Sequence, residues 1–172
     1  LIVNGPALTG QLITATDSRG RAPSWNPVEH KLYITTIDWN GYFIYDPDTS
    51  SSSTTPCIND GTSTFYSEAT NRMYSGVEVQ TWPEGTATII DGPTDGCQNI
   101  TLPVTGLAGV GFVTSRRHAY FAGTQGTYVL DEDTLTVVKA FPGSDGYGAV
   151  DTGILVDQAR RRVFVSNSWS SP

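Results

Sequence analysis

Val113-Thr114-Ser115-Arg116-Arg117-His118-Ala119-Tyr120 decides how this chain is read. An apolar residue leads into a short polar turn rich in basic residues, and an apolar stretch then closes on an aromatic. The same order recurs in Trp25-Asn26-Pro27-Val28-Glu29-His30-Lys31-Leu32-Tyr33, in Tyr66-Ser67-Glu68-Ala69-Thr70-Asn71-Arg72-Met73-Tyr74 and in Val156-Asp157-Gln158-Ala159-Arg160-Arg161-Arg162-Val163-Phe164. The closing aromatics Tyr33, Tyr74, Tyr120 and Phe164 are 41, 46 and 44 residues apart. A fixed spacing of this size is the mark of a repeat architecture.

A second marker interleaves with the first. Phe43-Ile44-Tyr45-Asp46, Thr88-Ile89-Ile90-Asp91 and Tyr128-Val129-Leu130-Asp131 are apolar runs that end on Asp, and Leu1-Ile2-Val3-Asn4 fits with Asn in its place. Asn4, Asp46, Asp91 and Asp131 lie 42, 45 and 40 residues apart. Each period parses into four short strands. Strand a precedes the basic turn, b follows it, c ends at the Asp, and d follows the acidic turn. β-branched and aromatic residues, Gly and Pro punctuation and the absence of a long 3.6-residue periodicity agree with strands. A single twisted four-stranded sheet cannot cover its own apolar faces, whereas sheets packed face to face around an axis can. The fold class is therefore all-β, a β-propeller with four-stranded antiparallel blades of about 43 residues.

The strands after the basic turn, Leu32-Tyr33-Ile34-Thr35, Met73-Tyr74-Ser75-Gly76, Ala119-Tyr120-Phe121-Ala122 and Val163-Phe164-Val165-Ser166-Asn167, resemble the YVTN-type propeller repeat. The strand ends Tyr45 to Thr49, Ile90 to Thr94 and Leu130 to Thr134 match the Ile-Asp-x-x-Thr ending of that repeat. The resemblance covers nearly the whole chain and speaks to fold rather than activity, because propellers host enzymes, lectins and scaffolds alike. About four units are present, the first and last incomplete: residues 1–15 (strands c and d), 16–60, 61–104, 105–142 and 143–172 (strands a and b). Joined, the two incomplete units would close a four-bladed ring. The alternatives are a window on a larger ring, or open edges that pair with another copy. The chain opens on Leu1-Ile2-Val3, which reads as the inside of a strand, so a processed protein or a segment of a longer one is expected.

Composition narrows the partners. The chain of 172 residues carries a formal charge of −7, which disfavours phosphate polymers and anionic membranes. No run approaches the ~20 apolar residues of a membrane helix. No GxSxG elbow, HExxH pair, phosphate loop or Ser-His-Asp grouping is present. Gly106-Leu107-Ala108-Gly109-Val110-Gly111 precedes a strand rather than opening a helix, so it is read as small residues near the crowded axis, like Gly143 to Gly148 one unit later.

Propeller geometry places the a–b and c–d turns on one face and the b–c and d–a loops on the other. The first face then alternates basic turns (His30 and Lys31; Asn71 and Arg72; Arg116 to His118; Arg160 to Arg162) with acidic ones (Asp46 and Asp48; Asp91 and Asp95; Asp131 to Asp133), and reads as a solvated rim of weak ion pairs. Calcium at Asp46/Asp48 or Asp131/Asp133 is the sharper alternative, though the ligand spacing is too sparse for a calcium loop. On the second face, Trp39, Trp82 and Trp169 fall in b–c loops, with Asp38 and Asn40 beside the first. Exposed Trp among amide and carboxylate groups suits sugar stacking or a protein hot spot, against the plainer role of covering a blade edge. Trp25 and Tyr66 are expected in inter-blade packing.

Cys57 and Cys97 are the only cysteines, and both are expected in strand d of adjacent units, where a bridge would staple neighbouring blades at the rim. The Asn99-Ile100-Thr101 sequon lies on the same outer strand and makes Asn99 the expected glycan acceptor. Together these point to a secreted, extracellular protein. No cofactor is expected, and no catalytic residue is assigned. The reading favoured is a structural, self-assembling or ligand-binding module whose partners are other chains, copies of itself or glycans. The competing reading is a metal-dependent hydrolase of the sugar-lactonase type, with calcium or another divalent metal held by Glu68, Asp145 and Asp151, which match that metal set poorly.

Overall fold

The computed structural model describes residues 2–4, 9–11, 23–35, 41–57, 61–77, 85–102, 107–123, 126–142 and 153–166. They form three complete four-stranded antiparallel sheets and two two-stranded ones. Blade I consists of β3 (Ser24–Asn26), β4 (Lys31–Thr35), β5 (Tyr42–Asp46) and β6 (Ser51–Thr55). Blade II consists of β7 (Gly61–Ser67), β8 (Arg72–Val77), β9 (Gly85–Asp91) and β10 (Cys97–Leu102). Blade III consists of β11 (Leu107–Val113), β12 (His118–Gly123), β13 (Gly126–Asp131) and β14 (Thr136–Pro142), with one 3-10 turn at Thr114–Arg116. An N-terminal hairpin pairs β1 (Ile2–Asn4) with β2 (Thr9–Gln11), and a C-terminal one pairs β15 (Gly153–Asp157) with β16 (Arg162–Ser166). Neighbours in sequence are neighbours in every sheet, as the expected a-b-c-d parse requires.

The turns explain the register. Asn26 Oδ1 accepts from the N–H of Val28 at 2.9 Å and of Glu29 at 3.1 Å. Asp46 does the same for Asp48 and Thr49, Asp131 for Asp133 and Thr134, and Asp157 for Arg160. A short side-chain acceptor that captures amides two and three residues on folds the backbone back locally. Four residues after the corner residue the chain turns left-handed, at His30, Asn71, Arg117 and Arg161 in the a–b turns and at Ser50, Asp95 and Leu135 in the c–d turns. The corner Asp that marks each period is thus a turn-forming device.

Alternation sets the seams between blades. In blade II, Met73 pairs with Ile90 across the sheet and Tyr74 pairs with Ile89. Met73 and Ile90 join Tyr33, Tyr42 and Ile44 of blade I in one buried cluster, with Tyr66 and Cys97 packed against it. Tyr74 and Ile89 join Val110, Ala119, Phe121, Tyr128 and Leu130 of blade III in a larger one, with Phe65, Phe112 and Leu135 at its edge. Each fully buried side chain of this size contributes about 1.5–3 kcal/mol relative to exposure. Both faces of blade II are therefore covered by its siblings.

Blade III meets the C-terminal hairpin through Gly111. A Cβ there would lie 2.4 Å from Ile154 Cγ2 and 2.9 Å from Val156 Cγ2, so glycine is what lets β15 approach β11. On its other face the hairpin is open: Leu155 is 69% and Phe164 52% exposed. Trp25 departs from expectation. Its repeat equivalent Tyr66 packs in the blade I–II seam, but Trp25 lies on the opposite face of blade I, 44% exposed and stacked on His30 with ring centroids 6.2 Å apart.

The cysteines form a disulfide, with Cα atoms 6.1 Å apart. Cys97 opens strand d of blade II, as expected. Cys57 does not lie in strand d of blade I: β6 ends at Thr55, and the polar Ser51–Thr55 run leaves Cys57 two residues beyond it, buried. The bridge therefore joins the exit of one blade to the outer strand of the next.

Candidate functional site

The a–b and c–d turns share a face, because they bond to each other. Within a blade, His30 lies 3.2 Å from Asp48 and Arg117 2.6 Å from Asp133, Arg72 lies 3.9 Å from Asp91, and the amides of Gly92 and Glu132 donate to Asn71 O and Arg117 O. Further contacts cross between blades. Lys31 and Tyr33 of blade I both donate to Asp95 of blade II, at 2.5 and 2.7 Å, and Asn71 of blade II donates to Glu29 of blade I at 2.8 Å. Arg72 of blade II donates to the Glu132 carbonyl of blade III at 2.6 Å, and Thr70 donates to the Glu132 carboxylate at 3.1 Å. Glu132 is fully buried, and the Lys31 and Asp95 side chains are only 21% and 24% exposed. The expected solvated rim is in fact partly a set of inter-blade ties.

Burial holds back the ionisation of Tyr33 and Tyr74. Tyr33 is held far above the ordinary phenol value by burial first and by its bond to Asp95 second. Tyr74 is pushed up to about 12, again chiefly by burial. Both stay neutral hydroxyls in ordinary buffers. Asp46, Asp131 and Asp157 lie below the usual carboxylate range. For Asp46 the main cause is the Thr49 side-chain bond, and for Asp131 and Asp157 it is the amides of Thr134 and Arg160.

Inside this face the ends of the four a strands converge on an open cavity of about 530 Å³. Each unit supplies one pair of residues: Pro27 and Val28, Tyr66 and Glu68, Phe112 and Thr114, Val156 and Gln158. Tyr66, Phe112 and Val156 occupy one repeat position, the last but one of strand a, and Pro27, Glu68, Thr114 and Gln158 another, two residues on. The Gln158 amide is committed to the wall, donating to Phe112 O at 2.5 Å and accepting from Thr114 N at 3.2 Å. Glu68 is the one charged side chain in the lining. Tyr66 is raised above the ordinary phenol value by burial and then by the Glu68 and Glu29 charges, so the mouth is electronegative.

The sequence reading looked to the other face and missed this cavity. Trp39, Trp82 and Trp169, with Asp38 and Asn40, lie outside the described residues, as do Asp145 and Asp151. Glu68 alone of the hydrolase set is described, and it sits at the cavity. Among the described residues no group of three or more His, Cys, Asp or Glu is placed to hold a metal ion. Asp46 and Asp131 are occupied as turn caps, and Asp48 and Asp133 by His30 and Arg117. Asn99 is exposed on β10, where its Oδ1 accepts from Thr88 at 2.7 Å.

No family model matches the chain, and no curated protein matches its sequence. Solved structures do match. The dihydro-heme d1 dehydrogenase NirN, in complex with DHE, aligns at a TM-score of 0.71 and 14% identity over 95% of this chain and 36% of that one. The WD40 repeats of RRP9 align at 0.65 and 9% identity over 90% of this chain and 53% of theirs. The fold is a β-propeller. A third propeller match, the extracellular domain of a one-component system from B. thetaiotaomicron, aligns at 0.65 and 12% identity over 86% of this chain and 19% of that domain. At such identities the likeness is one of fold alone. The chain spans between about a fifth and a half of the length of these propellers. Among the described residues no helix is long and apolar enough to cross a membrane.

Proposed function

We propose that this chain is a YVTN-type propeller module that binds rather than catalyses, with its site at the cavity where the four a strands end. The observation that carries the reading is the lining. It offers Pro, Val, Tyr and Phe surfaces around a single carboxylate, Glu68. Apolar walls with a few convergent polar groups are the usual make-up of a small-ligand site. The ligand class is a small molecule or peptide side chain with an apolar body and a donor or cationic group for Glu68. The disulfide supports a secreted setting, in which Asn99 carries a glycan and other proteins or copies of the chain are the partners.

The test has two arms. Amide and aromatic NMR shifts are followed while a library of small amines is added, and lactone turnover is assayed with and without calcium. The binding reading expects shifts gathered at Tyr66, Glu68, Phe112 and Gln158, weakened at least tenfold in affinity by Glu68→Gln, and no turnover. Calcium-dependent turnover abolished by Glu68→Ala would replace it with the hydrolase.

A further inference from the structure

Tyr66 belongs both to the cavity lining and to the buried cluster between blades I and II. Its register in the sheet links it to the far rim of the blade. Across blade II, Tyr66 pairs with Met73, Met73 with Ile90, and Ile90 with Cys97. Residues directly opposite in adjacent strands share a face, so these four side chains form one row from strand a to strand d. At the usual strand spacing the row is about 14 Å long. Its two middle members, Met73 and Ile90, are wholly buried. Its outer end is fixed covalently, because Cys97 is bonded to Cys57 at the exit of blade I. At its inner end the Tyr66 hydroxyl donates to Asn71 Oδ1 at 3.4 Å, and the Asn71 amide donates to Glu29 of blade I at 2.8 Å. Blade I therefore holds this row at both ends.

The equivalent rows carry no such anchor. In blade III, Phe112 pairs with Ala119, Ala119 with Leu130 and Leu130 with Val137, and Val137, in the place of Cys97, is 40% exposed. In blade I the row runs Trp25, Leu32, Tyr45, Ser52, and its outer serine is exposed. Of the two aromatic walls of the cavity, Tyr66 thus ends a crosslinked row and Phe112 an uncrosslinked one. A close-packed row passes a displacement on rather than absorbing it, and packed side chains tied to an element with two discrete states are a physical means of coupling. Here the two states are the disulfide and the dithiol.

We propose that the Cys57–Cys97 bridge sets the position of Tyr66 through Ile90 and Met73, and that, given the binding role proposed for the cavity, reduction of the bridge lowers its affinity for ligand. A dithiol supplies the two electrons. Its thiolate attacks Cys97 Sγ, since Cys97 is half-buried whereas Cys57 is only 8% exposed. The protein S–S bond breaks, a mixed disulfide forms, and Cys57 leaves as a thiolate that takes up a proton. The second thiol of the reductant, once deprotonated, closes the reductant's own disulfide and releases Cys97 as a thiolate that is protonated in turn. Coupling is reciprocal, so bound ligand makes the bridge harder to reduce by the same factor.

The experiment compares the whole chain oxidised, reduced with dithiothreitol, and with Cys57 and Cys97 both changed to Ser. The oxidised and reduced forms are also made with Met73→Ala, and Met73→Val takes its place should the alanine variant not fold. Ring resonances of Tyr66 and Phe112 are read by NMR without ligand, and 2-phenylethylamine is then titrated as the probe. Opening the bridge is expected to shift Tyr66 more than Phe112 and to weaken the probe about fivefold or more. With Met73 shortened, reduction should move Tyr66 by less than half as much. Saturating probe should raise the ratio of reduced to oxidised dithiothreitol at half-reduction by the same factor as the affinity changes. An unmoved Tyr66, an equal shift at Phe112, an undiminished shift with Met73 shortened, or an unchanged probe affinity overturns the proposal. Where the probe binds no form at all, the binding reading falls, and the Tyr66 shift alone decides whether the bridge positions the ring.

Discussion

Between blades I and II the buried cluster is small, five residues around Tyr33 and Met73, and it is reinforced by the Cys57–Cys97 bridge and by Lys31 and Tyr33 on Asp95. Between blades II and III nine buried residues meet around Tyr74 and Phe121, with no covalent link, and the polar tie is a buried glutamate. One junction leans on a crosslink and an ion pair, the other on apolar area. The repeat fixes where a tie is made, and local sequence decides what makes it. The acid in the first seam is the fifth residue of its c–d turn, Asp95, and in the second it is the second residue, Glu132.

The largest effect expected is on the apolar seam. Phe121→Ala should cost about 3–5 kcal/mol in urea unfolding, because it opens a cavity where blades II and III meet. The disulfide seam comes next. Replacing Cys57 and Cys97 together by Ser should cost on the order of 2–4 kcal/mol, the range for closing a loop of this size. Hydrogen exchange should quicken between blades I and II and leave Phe121 and its neighbours protected; uniform quickening would mean that the seams are not separable. Asp95→Ala should cost about 2 kcal/mol, since it leaves the buried Tyr33 and the mostly buried Lys31 without their acceptor. Tyr33→Phe in the same background should then add almost nothing, which a double-mutant cycle would read directly.

Acid should act on the corners. Asp46, Asp131 and Asp157 release their protons more readily folded than unfolded. The stability they contribute is therefore complete above about pH 4, the unfolded carboxylate range, and is lost as pH falls through their lowered folded values. Asp46→Asn should flatten the acid limb of a pH–stability curve by lowering the plateau from about pH 6 to 8 while leaving the acid end unchanged. The smallest effect belongs to the exposed pair. His30→Ala or Asp48→Ala should change stability by no more than about 0.5 kcal/mol, and a larger change would mean that the His30–Trp25 stack matters more than its exposure implies.

The aromatic anchors and corner Asp residues made the blades legible, because turn chemistry and strand alternation are local and repeat in register. Cys57 and Cys97 were legible as a pair for the same reason, although the end of β6 before Cys57 was not, since Ser51 to Thr55 and the residues after it are all polar or small. The Trp-bearing loops drew attention because Trp is conspicuous. The cavity was harder to see, because it is made by a pair of inconspicuous residues from each of four units. Reading Pro27, Glu68, Thr114 and Gln158 as a column rather than along the chain was the signal that could have found it. Which acid reaches which tyrosine depends on the rotation of one blade against the next, and no spacing encodes that.

The left-handed corners hold a wider lesson. His30, Asn71, Arg117 and Arg161 bend alike, as do Ser50, Asp95 and Leu135, yet no residue type is common to either set. Only Asn and Asp among them tolerate that conformation readily, and each of the others stores about 1 kcal/mol of backbone tension. What copying has preserved is the angle of the bend, with the side chain at its apex left free to drift. Such a molecule can match NirN and a WD40 propeller in shape while sharing 14% and 9% of its residues with them.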